Sequence, residues 1–202
     1  MRGAGFKLLF DGKTLNGWKA WGKSEMPKVW SVEEGVLVVS PGEEHGDIRT
    51  EAEFRDFELR LEWKVSQGAN SGIFYRASEK HGAVYLSGPE YQILDDEHGA
   101  GGKNPLTAAG SLYDVYPPSA KVSRQAGQWN DARIVVRGNR IEHWLNGVRV
   151  VSCRLGSKDW NSRVSESKFR EREMFGKAPS GPIVLQDHGY KVWFRNIRIR
   201  AF

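Results

Sequence analysis

The residues most able to do chemistry lie in four short stretches. In GPEYQILDD, residues 88–96, strand alternation puts Glu90, Gln92 and Leu94 on one face and Tyr91, Ile93 and Asp95 on the other. A carboxylate beside a neutral amide suits proton transfer next to a fixed hydrogen-bonding group if that face is a cleft. On a solvated sheet the same pair is ordinary surface, and Asp95 and Asp96 are expected to end the strand in solvent. In LQDHG, residues 185–189, Gln186 and His188 share a face with Val184. A histidine titrates near neutrality, so His188 suits proton transfer or metal ligation; the plainer reading is a turn histidine before the last strand. ANSGIFYR, residues 69–76, offers Asn70 and Arg76 on one face. The Arg76 guanidinium is a rigid donor fork for an oxyanion, or else the partner of an acidic neighbour. In IEHWLNG, His143 keeps the parity of Ile141 and Leu145, as a core histidine would, while Glu142 and Trp144 face the other way. Tyr113 and Asp114 in SLYDVYPP are weaker candidates.

The elements that must position these groups are strands. Phe57, Leu59, Leu61, Trp63 and Val65 alternate with Glu58, Arg60, Glu62 and Lys64, giving one apolar and one charged face. VWSVEEGVLVVS reads as a hairpin turning at Glu34-Gly35. DARIVVRGNRIEHWLNGVRVVSC reads as three strands joined at Gly138-Asn139 and Asn146-Gly147, pairs suited to two-residue loops. ANSGIFYRA, GPEYQILDD, AGSLYDVYPP, GPIVLQ and KVWFRNIRIR add further strands, punctuated by many of the chain's 23 glycines. Residues 159–176 lack alternation, carry helix formers and end at Gly176, which predicts one short helix near 160–175. Its KFRERE run reads as a solvated charged face. The Gly-rich stretch 97–110 is long for a loop in a compact domain and is expected to act as a mobile lid.

Composition limits the function classes. The 202 residues fit one domain spanning 1–202, with no repeat or linker. Cys153 is the sole cysteine, which excludes an internal disulfide and a cysteine zinc cluster. The net charge of +5 comes from 30 basic and 25 acidic residues scattered among strands, unlike a nucleic-acid footprint. No segment has the ~20 apolar residues that cross a bilayer. MRGAGFKLLFDG lacks the apolar core and cleavage site of a signal peptide, so either there is none or the chain begins after it.

Several long motifs follow one another in order: FKLLFDGKTLNGWKAWG, FELRLEWKVSQGANSGIFYR, GPEYQILDD, AGSLYDVYPP, QWNDARIVVRGNRIEHWLNG and GPIVLQDHGYKVWFRNIRIR. From about Phe6 to Phe202 the chain resembles the 3-keto-disaccharide hydrolase domain family. The resemblance implies an all-β fold, a concanavalin A-like jelly-roll sandwich of two antiparallel sheets. It also implies a carbohydrate substrate already oxidised at C3 by an upstream sugar 3-dehydrogenase, and it favours a periplasmic or extracellular location. A C3 ketone acidifies the C2 hydrogen, so a general base can remove it, the C1 substituent leaves by elimination, and water adds back. Such a site needs a base and a group that holds the enolate oxygen, and it does not need the paired carboxylates of an ordinary glycosidase.

On this reading Glu90 and His188 are the expected catalytic residues. Asn70, Arg76, Gln92, His143, Trp144 and Gln186 are the expected substrate-binding ones, with Trp144 able to stack on a sugar ring. A divalent metal stays open: Glu90 and His188 would ligate one if their strands adjoin, but no local H-x-x-E pair supports it. The rival is a non-catalytic carbohydrate-binding module, which predicts an open groove lined by tryptophans and tyrosines and no buried carboxylate. A structural or adhesion domain predicts neither feature.

Overall fold

The computed structural model describes residues 5–202. Thirteen strands run in chain order as β1 (Lys7–Leu8), β2 (Trp18–Ala20), β3 (Trp30–Glu33), β4 (Val36–Val39), β5 (Ile48–Thr50), β6 (Phe57–Val65), β7 (Asn70–Phe74), β8 (Glu90–Leu94), β9 (Asn130–Arg137), β10 (Arg140–Leu145), β11 (Val148–Arg154), β12 (Val184–Leu185) and β13 (Val192–Ala201). One helix, α1 (Lys158–Glu166), lies between β11 and β12. The larger sheet has the order β11-β10-β9-β6-β13-β4-β3, with β1 also on β13; the smaller has the order β2-β5-β12-β7-β8. All pairings are antiparallel. The expected two-sheet sandwich is the fold.

Alternation along β6 sends Phe57, Leu59, Leu61, Trp63 and Val65 into the space between the sheets, where each is at most 2% exposed. Ile73, Tyr75, Tyr91, Ile93 and Leu185 meet them from the smaller sheet. Burying that many large apolar side chains, at about 1.5–3 kcal/mol each, is the main stabilising term. The hairpin turns fall where the residue types require. Asn146 (φ 49°) and Gly147 (φ 82°) are both left-handed, and Asn146 Nδ2 also donates to Val122 O at 2.7 Å. In β13 a bulge at Asn196 (φ 55°) lets Arg195, Arg198 and Arg200 face out while Ile197 and Ile199 stay in the core.

Four expectations change. AGSLYDVYPP forms only isolated bridges, Tyr91 to Leu112 and Leu112 to Tyr116, because Gly110 (φ 82°) and Asp114 (φ 59°) turn the chain back on itself. The helix is half the expected length. Ser157 Oγ caps it by accepting from Trp160 N at 3.1 Å; beyond Ser167 the chain folds into turns, and Phe169 and Phe175 stack at 4.0 Å between centroids. Aromatic packing against Trp160 overrides the helix propensity of KFRERE. The 97–110 segment is also no open lid. Asn104 caps a short turn at 105–107, Thr107 Oγ1 donates to Gly101 O at 2.7 Å, and Asp96 accepts from Ala109 N at 2.8 Å. Asp95, expected in solvent, is 2% exposed because its carboxylate accepts from Gly68 N and Glu97 N. Among the described residues no helix is long and apolar enough to cross a membrane.

Candidate active site

The outer face of the smaller sheet carries the site, and strand register explains its layout. Phe74 pairs with Glu90 and with Val184, and Gly72 pairs with Gln92. Gln186 N donates to Gly72 O at 3.0 Å, which continues the ladder one step past β12. The same register sets Asp47, just before β5, beside Gln186. Two rows therefore cross the sheet: an apolar row of Val184, Phe74 and Glu90, and a polar row of Asp47, Gln186, Gly72 and Gln92. Trp21, Ala77 and Val84 pack on Phe74 and Val184 and turn the first row into a wall.

Beside the wall lies a cavity of about 350 Å³ lined by Asp47, Asn70, Tyr85, Glu90, Gln92, Tyr113, Lys168, Gln186, Asp187 and His188. Of the eight predicted residues, it collects Asn70, Glu90, Gln92, Gln186 and His188.

Glu90 sits at the junction of the two rows. Its backbone belongs to the apolar row, and its side chain leans over Gly72, where a β-carbon would collide with Oε1 and come within 2.9 Å of Cδ. Gly72 is thus the opening that lets a carboxyl group lie flat on the sheet. Glu90 is 6% exposed. Burial pushes its carboxyl up to about 8; the Lys168 ammonium pulls it down and the Asp47 carboxylate adds to the rise. Asp47 is itself raised to about 6, chiefly by burial, and its Oδ1 accepts from Asp187 N at 2.9 Å. Two carboxyl groups of one cavity thus lose their protons in different pH ranges, the pattern that separates acid and base roles.

The other walls come from loops. Lys168 Nζ lies 3.9 Å from the Tyr113 ring centroid, and its backbone N–H donates to Asp114 Oδ2 at 2.8 Å. Asp187 turns a fully buried carboxylate away from the opening; Oδ2 accepts from Gly46 N and meets His45 Nδ1, both at 3.1 Å, and Oδ1 accepts from Gly189 N at 2.9 Å. This fixes the turn that presents His188, which is exposed and stacks on Tyr190. Among the described residues no three His, Cys, Asp or Glu side chains are grouped to hold a metal ion.

Three predicted residues lie elsewhere. Arg76 faces away from the cavity. Its left-handed backbone (φ 50°) breaks the parity with Asn70, and its guanidinium donates to Arg55 O at 2.7 Å and Asp56 Oδ1 at 3.1 Å. His143 is fully buried between the sheets, with Nε2 2.8 Å from Tyr75 Oη and Nδ1 3.1 Å from Gly110 O; burial holds it down at about 4, in the neutral form. Trp144 is on the outer face of the larger sheet, the opposite side of the molecule. Its ring is covered by Arg133 at 4.8 Å and Arg149 at 5.9 Å, and Nε1 donates to Glu142 at 3.0 Å. The cation near Glu90 is not Arg76 but Lys168, from the run read as a solvated face. Asp47, Tyr85 and Asp187 also line the cavity without having been singled out. Asp47 had a signal: register pairs it with Gln186 once β5 and β12 are known to adjoin.

Residues 5–200 match the model of the 3-keto-alpha-glucoside-1,2-lyase-like domain. A protein of Bacteroides thetaiotaomicron named 3-keto-disaccharide hydrolase is 37% identical over 227 aligned residues, covering 98% of this chain and 78% of that relative. The solved structure of a candidate glycosyl hydrolase from Parabacteroides distasonis superposes with a TM-score of 0.90 at 34% identity, over 98% of this chain and 94% of the other. A laminarinase from Flavobacterium shares the fold alone, with a TM-score of 0.57 at 12% identity over the whole of both chains. With a family match across nearly its full length, the chain belongs to the 3-keto-alpha-glucoside-1,2-lyase-like domain family.

Proposed function

We propose that this protein is a carbohydrate hydrolase of 3-keto-disaccharide type, cleaving the glycosidic bond by elimination and hydration. The observation that carries the reading is Glu90, a carboxyl group pressed against an apolar wall with an ammonium facing it across a small cavity. A carboxylate with a proton affinity near neutrality is a far stronger base than a solvated one, and general-base catalysis is most effective when base pKa and working pH are close.

In the first half-reaction Glu90 takes the C2 proton. The electron pair moves toward C3, and the enolate oxygen that develops there is held by the Lys168 ammonium. The enolate then collapses: the C1–C2 double bond forms, the bond from C1 to the glycosidic oxygen breaks, and His188 protonates the departing oxygen. In the second half-reaction a water oxygen adds to C1 while the proton it sheds passes to His188, and the Glu90 carboxyl returns a proton to C2. The sum is 3-keto-glycoside plus water giving a 3-keto sugar plus an alcohol, with Glu90 and His188 both regenerated. Each group serves only if the substrate is already a ketone, so an oxidoreductase acting at C3 must supply it.

The binding-module alternative predicts an open groove lined by tryptophans and tyrosines and no buried carboxylate. Tyr85 and Tyr113 line this cavity but no tryptophan does, and the buried Glu90 carboxyl is the feature that reading predicts to be missing. The test is incubation with 3-keto-trehalose and 3-keto-lactose beside the unoxidised sugars, with and without chelator. Release of a 3-keto monosaccharide only from oxidised substrates, lost in Glu90→Gln, supports the proposal. Binding without any turnover would return the protein to the binding-module class.

A further inference from the structure

Two atoms of the cavity are left without partners. Gln92 is 1% exposed, and its Nε2 donates to Asn70 Oδ1 at 3.1 Å, which commits the amide to one orientation. Its Oε1 is buried and has no hydrogen-bond partner among the described residues; the same holds for Gln186 Oε1. A buried unpaired carbonyl is costly and uncommon in native interiors. Two of them here occupy one sheet row, on either side of Gly72, with the Glu90 carboxyl lying over that glycine between them. Both are pure acceptors, so what completes them must be a pair of donors.

Resting on the proposed reaction, we infer that Gln92 and Gln186 are the specificity-determining residues of this site. Their carbonyl oxygens accept from the two hydroxyl groups flanking the ketone, at C2 and C4 of the oxidised ring. With C2 against the Glu90 carboxyl that covers Gly72 and the C3 oxygen turned to Lys168, these hydroxyls reach to either side, toward the two amides. Trp21, Phe74, Val84 and Val184 pack together as an apolar cluster on the row that ends at Glu90. A ring whose C4 oxygen carries a further sugar loses one of the two donors and leaves a buried acceptor unpaired, so the enzyme takes an oxidised sugar at the terminus of its glycoside. Asn70 does not touch the sugar in this scheme; it is a positioning residue that keeps Gln92 Oε1 turned to the cavity.

The experiment is calorimetric binding to Glu90→Gln, so that turnover does not intervene, using methyl 3-keto-glucoside, its 2-deoxy and 4-deoxy analogues and its 4-O-methyl ether. A site with a buried acceptor left unpaired should disfavour each deoxy analogue by roughly ten- to a hundredfold. Adding Gln92→Leu should abolish discrimination at one hydroxyl and leave the other intact, and Gln186→Leu should do the converse. Asn70→Ala should weaken the Gln92-dependent preference, and Asn70→Asp, which still accepts from Nε2, should restore it. Equal binding of parent and deoxy analogues, or discrimination unchanged in both leucine variants that keep the parental melting temperature, overturns the inference. Failure of the wild-type enzyme to cleave any ketoside refutes the proposed reaction instead, and the binding comparison still reports on the two glutamines.

Discussion

Replacing Glu90 by glutamine should inactivate the enzyme and stabilise the protein, with a stabilisation that depends on pH in a calculable way. The group has a folded-state value of about 8 against an ordinary 4.5. Between those values the folded state holds a proton that the unfolded state has released, so wild-type stability is fully present below about pH 4.5 and falls as pH rises toward 8. At 1.36 kcal/mol per pH unit, the loss relative to the protonated protein is roughly 1 kcal/mol at pH 5, about 3 kcal/mol at pH 7, and approaches about 5 kcal/mol above pH 9. A glutamine of similar shape does not titrate. The stability difference between Glu90→Gln and wild type should therefore widen by about 2 kcal/mol from pH 5 to pH 7, or roughly 4–8 °C in melting temperature for a chain of this size. Urea unfolding of both proteins at pH 5, 6, 7 and 8 reads it directly. Parallel pH dependences would show that Glu90 ionises like a solvated carboxylate, and the base assigned above would lose its physical footing.

Further expectations concern the groups around it. Lys168→Met should lower kcat by about 10²-fold or more through loss of enolate stabilisation. It should also move the rising limb of the pH profile to higher pH, since the ammonium holds the Glu90 carboxyl down; an unmoved limb would separate the two groups. Gly72→Ala forces its new β-carbon into Glu90, which should remove activity and cost about 1–3 kcal/mol of stability, checked by assay and thermal melting. His143→Leu breaks the hydrogen bonds to Tyr75 and Gly110 inside the core, so it should lower the melting temperature without changing KM in the fraction that folds. Asn146→Ala, at a left-handed turn residue, should likewise destabilise by about 1–2 kcal/mol and leave kcat/KM alone.

The strands were legible because their signals are local. Period-2 alternation located β6, β9, β10 and β13, and turn pairs such as Asn146-Gly147 fixed their boundaries. The same parity placed Glu90 with Gln92, and the family motifs pointed to their face as the one that binds. Where parity misled, the backbone had left the regular strand. Arg76 sits at a positive φ that rotates it out of the row of Asn70. His143 and Trp144 obey parity on β10, but that strand belongs to the other sheet, and nothing local in IEHWLNG says which sheet a strand joins. Lys168 was hidden for a related reason: a charge run gives no sign of which lysine folds back over Tyr113 once Phe169 and Phe175 anchor the turns around it. Asp47 reaches Glu90 only through a sheet order, β5-β12-β7-β8, that joins segments more than a hundred residues apart.

Cleavage of 3-keto-trehalose in D₂O tests the central claim most directly, with the product analysed by NMR or mass spectrometry against free 3-keto-glucose held in the same buffer without enzyme. Removal and return of the C2 proton by Glu90 predicts that the released 3-keto-glucose carries deuterium at C2 well beyond the enzyme-free control. A product that keeps its original C2 protium, together with no primary kinetic isotope effect for the C2-deuterated substrate, would contradict the elimination mechanism, and with it the role given to Glu90.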